Sequence, residues 1–122
     1  MLAPVLDSWK TGKPMQWTRV HDLPQFVYFN HSIHVNKGVG CVTCHGRVDQ
    51  MPLERKENTL YMDWCVNCHR DPAKFIRPVE KVTDMAYTTT AVEQAKIGPE
   101  LIQKYNVNTN DFHMLDCYNC HR

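Results

Sequence analysis

Nine of the chain's thirteen cysteines and histidines fall into three copies of one pattern. The copies are Cys41-Val42-Thr43-Cys44-His45, Cys65-Val66-Asn67-Cys68-His69 and Cys117-Tyr118-Asn119-Cys120-His121, and no cysteine lies outside them. On one helical turn, residues i, i+3 and i+4 share a face. Two thiols so placed can reach the two vinyl groups of one porphyrin and form thioethers, while the adjacent imidazole becomes the iron's proximal ligand. C-x-x-C-H is accordingly the attachment signature of a c-type haem. Three copies imply three c-type haems, bound at Cys41, Cys44 and His45, at Cys65, Cys68 and His69, and at Cys117, Cys120 and His121.

Other uses of six cysteines fit the pattern less well. Three disulfides are possible, but C-x-x-C pairs more often serve redox or metal chemistry than stapling. A four-cysteine zinc site would leave two thiols without a set. A thioredoxin-like pair needs one C-x-x-C in a βαβ context, not three in a loop-rich chain. None of these requires a histidine after every second cysteine. With histidine at 7 of 122 positions, three coincidences have a probability of about 2 in 10,000.

Four further histidines, His21, His31, His34 and His113, are available as distal ligands for three irons. His31 and His34 lie at i and i+3 in Phe29-Asn30-His31-Ser32-Ile33-His34, so one short helix could serve two neighbouring haems. For the third iron the residues leave His21 and His113 open, with Met62 and Met114 as alternatives. A methionine ligand would raise that haem's potential relative to a histidine pair.

The elements that must hold these residues are short. The spacing predicts a helical turn at each C-x-x-C-H and another at His31–His34, reached through a short extended stretch over 25–36. Residues 1–20 contain two prolines and a turn-like Thr11-Gly12-Lys13-Pro14, which predicts an irregular arm carrying Trp9 and Trp17. Glu54-Arg55-Lys56-Glu57 reads as a solvated loop. Asp71-Pro72 and Arg77-Pro78 are helix stops. Residues 91–105 favour helix with Gly98-Pro99 in the middle, which predicts two short helices meeting there. Three haems give about one per 41 residues, a ratio that leaves little aliphatic core. The expected fold class is a small, mostly irregular and α-helical multihaem cytochrome c, its haems forming the core, with little or no sheet.

Composition agrees with that class and excludes others. The chain is 43% hydrophobic and 22% charged, neither a disordered tail nor a membrane bundle. Lys+Arg number 14 and Asp+Glu 13, for a net charge of +1, so nothing suggests a nucleic-acid partner. The longest apolar run, Phe26 to Phe29, is far short of a membrane span. Three ferric haems, each with two propionates, would move the charge to roughly −2, and reduction to roughly −5.

The stretch WTRVHDLPQFVYFNHSIHVNKGVGCVTCHGRVDQMPL, then YMDWCVNCHRDP and a terminal CYNCHR, resembles the class III, or multihaem, cytochromes c. More narrowly it resembles the pentahaem cytochrome subunit of alternative complex III, a bacterial quinol-oxidising membrane assembly. That resemblance implies bis-histidine haems and selects His21 of the RVH-x-LP motif, beside His31 and His34, over His113 as an axial ligand. Members of that family carry a membrane helix and two further C-x-x-C-H motifs ahead of the corresponding segment. Residues 1–122 are therefore expected to form a single trihaem domain, the C-terminal portion of a longer pentahaem protein or a shorter relative. Met1 is expected not to be the translation start, and the end at Arg122 fits the family.

The function so implied is electron transfer without substrate chemistry, at the periplasmic or extracellular face of the cytoplasmic membrane. The expected partners are redox proteins, among them other subunits of a membrane complex. A multihaem reductase with one open iron is the enzymatic alternative, and a protomer of an extracellular haem filament the structural one.

Overall fold

The structure, a computed structural model, describes residues 2–121. Met1 and Arg122, on which the expectations about the chain ends fall, lie outside the described residues.

Among the described residues, seven short α-helices follow one another without a sheet: α1 (Ala3–Thr11), α2 (His31–Asn36), α3 (Cys41–His45), α4 (Met62–Arg70), α5 (Ala91–Lys104), α6 (Asp111–Met114) and α7 (Cys117–Cys120). Among the described residues there is no strand, only two single-residue antiparallel bridges, Val27 with His121 and Val39 with Ile76. This is the small, mainly helical and irregular architecture expected. The expected turns are present at all three motifs, with α3, α4 and α7 each carrying one C-x-x-C pair.

Local chemistry sets the ends of the site-bearing helices. Asn30 caps α2, its Oδ1 accepting from the Ser32 amide at 2.9 Å. Asp116 does the same for α7 at the Tyr118 amide, at 3.0 Å. Both satisfy amides that have no partner within the helix. α3 stops at Gly46, whose φ of 70° lies where a side chain is strained. Its amide returns to the Val42 carbonyl at 2.9 Å, and the chain turns away directly behind His45.

Two expectations are corrected. The arm over 1–20 is not wholly irregular, because α1 occupies Ala3–Thr11. Pro4 sits in its first turn, where the missing N–H is not needed. Gly12 closes it in the left-handed conformation with φ 67°. The second correction concerns α5, which runs unbroken through Gly98 and Pro99. A proline inside a helix costs a hydrogen bond, and packing offsets it here. Thr90 and Glu93 form a reciprocal capping box at its start. Gln94 Nε2 donates to the carbonyls of Ala73 and Ile76 at 2.7 and 2.9 Å, and Gly98 and Leu101 are buried. These contacts hold α5 against the 3-10 turn Pro72–Lys74 that follows α4.

The side-chain core is small. Among the described residues the buried hydrophobic side chains are Ile76, Val82 and Leu101. They tie the first motif to the middle of the chain, since the Cys41 amide donates to Val82 O at 3.0 Å and the Arg77 amide to Gly38 O at 2.8 Å. Phe29, Ile33 and Val35, on or beside the histidine-bearing α2, and Met62 on α4 are exposed. No helix among the described residues is long and apolar enough to cross a membrane.

Candidate functional site

The three motifs are neighbours. Burial pushes the Cys44 thiol up to about 11, and Cys68, Cys65 and Cys41 add to the shift through their charge. Cys65 is raised by burial and then by Cys120, and Cys68 by burial and then by Cys65. The second motif is therefore close to each of the other two. All six thiols are free, and those of Cys44, Cys65 and Cys68 stay protonated at neutral pH.

Two histidine pairs stand out by their separation. The His31 and His45 rings are 6.3 Å apart between centroids, with planes 11° from parallel. His34 and His69 are 6.1 Å apart at 37°. An imidazole nitrogen lies about 2 Å from a first-row metal and roughly 1 Å from its own ring centroid, so two imidazoles on opposite sides of one iron have centroids about 6 Å apart. Both pairs have that separation.

Hydrogen bonds orient the rings for the same purpose. His34 Nδ1 lies 2.8 Å from Asn30 O, and His69 Nδ1 lies 2.9 Å from Met114 O. In each case a backbone carbonyl fixes the proton on Nδ1 and leaves the Nε2 lone pair for a metal. Burial is the main cause that lowers His34, opposed by the Asn30 carbonyl and supported by His69 and His31. Burial likewise lowers His45, then His21 and His31, with Glu54 opposing. A lowered value keeps the imidazole neutral, the form that binds iron.

Phe29 spaces the two distal candidates. Its ring is 4.7 Å from His31, edge to face, and 4.7 Å from His34, stacked. Below the first motif, Asn58 Nδ2 donates to Thr43 O and Cys44 O at 3.1 and 2.9 Å, satisfying carbonyls that a five-residue helix leaves open.

The remaining histidines are placed differently. His21 packs edge-on against His45 at 4.3 Å and 70°, too close for an iron between them. Its Nδ1 is 3.3 Å from Glu54 Oε1, and its buried Nε2 has no partner. His121 meets the ring of Phe26 at 5.8 Å. Among the described residues no histidine ring is set against His121. His113 is exposed on α6. The structure thus brings His21 to the first motif and leaves His113 at the surface. Glu54 is the member of this constellation that the sequence did not single out, since a charged run gives no sign of a distant histidine.

The residues present fit c-type haem on three counts. Free thiols sit at the spacing for two thioethers, imidazole pairs sit at iron-spanning separation, and apolar side chains around the motifs lack a protein core to enter. Residues 33–122 match the sequence model of cytochrome c3. The chain belongs to the cytochrome c3 family. Its matched stretch contains all three C-x-x-C-H motifs and His34, while His21 and His31 precede it. No curated protein matches the chain. As a cytochrome c3 family member it is a multihaem cytochrome c of the electron-transport class, with c-type haem as its cofactor.

Proposed function

We propose that this cytochrome is a three-haem electron relay with two bis-histidine irons. His45 and His31 hold the first iron, and His69 and His34 the second. His121 is the proximal ligand of the third, for which His113 is the histidine left, since His21 lies against His45 at the first motif. The spacing of the two imidazole pairs, 6.3 and 6.1 Å, is the observation that carries this reading. The bound haems supply one-electron exchange between ferric and ferrous iron. The chain's own work is to fix the irons' ligands, to hold the second motif close to the other two, and to set each potential by ligand, burial and hydrogen bonding.

The motif resemblance supports a place in a quinol-oxidising membrane complex like alternative complex III, with redox proteins as partners on the periplasmic or extracellular side. A reductase with one open iron is favoured by one observation only, the presence of Phe26 rather than a histidine against His121.

The test is haem-to-protein stoichiometry with optical spectra, oxidised and reduced, with and without carbon monoxide. Three low-spin haems silent to carbon monoxide are expected of a closed relay. One carbon-monoxide-binding haem would instead identify an open third iron, and fewer than three haems per chain would overturn the reading.

A further inference from the structure

The charged stretch Glu54-Arg55-Lys56-Glu57 divides in two by its contacts. Arg55 and Glu57 pair with each other at 3.1 Å on the surface, and the Lys56 ammonium lies 5.9 Å over the Tyr61 ring. Such pairs are the ordinary chemistry of a solvated loop. Glu54 instead turns inward to His21, whose side chain is 15% exposed against 52% for its own.

The result is a carboxylate, an imidazole and a second imidazole in succession. The His21, His45 and Glu54 ligand atoms all lie within 4.8 Å of one another. His45 is a motif histidine, so this succession ends on the proximal side of the first haem. The second motif is built otherwise, with His69 Nδ1 on the neutral carbonyl of Met114.

Groups behind a metal's ligands tune that metal by charge and by orientation. A negative charge near an iron stabilises its ferric over its ferrous state. We propose that Glu54, acting through His21 on His45, is a positioning residue that lowers the potential of the first haem relative to the other two. The inference rests on the reading of His45 as an iron ligand. Half-exposure of the carboxylate means solvent and salt screen it, so the effect is moderate and largest at low ionic strength.

The experiment is a spectroscopic redox titration of the three-haem protein and its Glu54→Gln variant. Glutamine keeps the shape and an acceptor oxygen but removes the charge. One of the three redox components should rise, its one-electron equilibrium moving roughly three- to tenfold toward the reduced form, where tenfold is about 59 mV. Paramagnetic NMR should connect the shifted haem to Cys41 and Cys44. Glu100→Gln, an exposed carboxylate on α5, should leave all three components in place. If Glu54→Gln moves none of them, or moves a haem held at another motif, the proposal is overturned while the relay stands. A wild-type chain with fewer than three haems overturns the relay itself, and the two failures are separate in the data.

Discussion

His31 and His45 face each other with centroids 6.3 Å apart and planes 11° from parallel, although they come from different helices. Three local devices maintain that relation. Asn30 fixes the start of α2, Phe29 braces His31 and His34 against one another, and Gly46 ends α3 directly after His45. A short helix with histidines at i and i+3 then addresses two motifs at once, since His34 meets His69.

His31→Ala should leave three covalent haems and change the state of one. On the proposed ligation the thioethers come from Cys41 and Cys44, which the substitution does not touch. The first iron would lose its sixth ligand, gain a high-spin band and bind carbon monoxide. Haem stoichiometry and a carbon-monoxide difference spectrum check this. A spectrum identical to wild type would remove His31 from the ligand set.

Chain produced without haem attachment should not fold. Its buried hydrophobic side chains among the described residues are Ile76, Val82 and Leu101, too few to offset the conformational entropy of ordering the chain. Ligand binding and folding are therefore linked. Circular dichroism and hydrogen exchange on haem-free material should report an unfolded ensemble. Cooperative thermal unfolding of that material would contradict the expectation.

The sequence made legible what depends on nearest neighbours. Each C-x-x-C-H needs one helical turn, and α3, α4 and α7 supply it. The short helices and the lack of strands among the described residues followed from three C-x-x-C-H motifs in so short a chain. What escaped was set by distance or by packing. Pro4 and Gly12 looked like breakers, yet they stand at the two places in α1 where a helix accepts them. Gly98-Pro99 looked like a junction, but Gln94 and the buried face of α5 hold the helix through it. Glu54 looked solvated because its partner His21 lies far along the chain.

The capping box of α5 predicts a pH-dependent contribution. Hydrogen bonds from the Thr90 amide and hydroxyl hold the Glu93 carboxyl below its ordinary 4.5. A depressed carboxyl contributes stability that is present above 4.5 and is lost as pH falls through the lower folded value. Wild type should therefore melt above Glu93→Gln at pH 6, with the gap closing as pH drops below 4.5. Thr90→Ala, which removes the cap itself, should cost about 1 kcal/mol. A gap that does not change with pH would show that the carboxyl is not the group responsible.

Gly98 offers a test in which two effects of opposite sign compete. Alanine is the better helix former by about 1 kcal/mol, so Gly98→Ala at an open helical site would stabilise α5. Here a Cβ would lie 2.2 Å from Ala73 O and 3.0 Å from its carbonyl carbon. Both are backbone atoms, and Gln94 pins that same carbonyl at 2.7 Å, so the 3-10 turn has little freedom to retreat. Either α5 or the turn must move, and overpacking of this kind costs about 1–3 kcal/mol. The clash should outweigh the propensity gain. Gly98→Ala should lower the denaturation midpoint while leaving three haems bound, because no motif residue is touched. The second motif, on α4 directly ahead of the turn, should show the altered environment first, as a shift in the haem signals nearest Cys65 and Cys68. A midpoint above wild type would mean that α5 can move away from Ala73 without loss, and that its packing does not carry Pro99 through the helix.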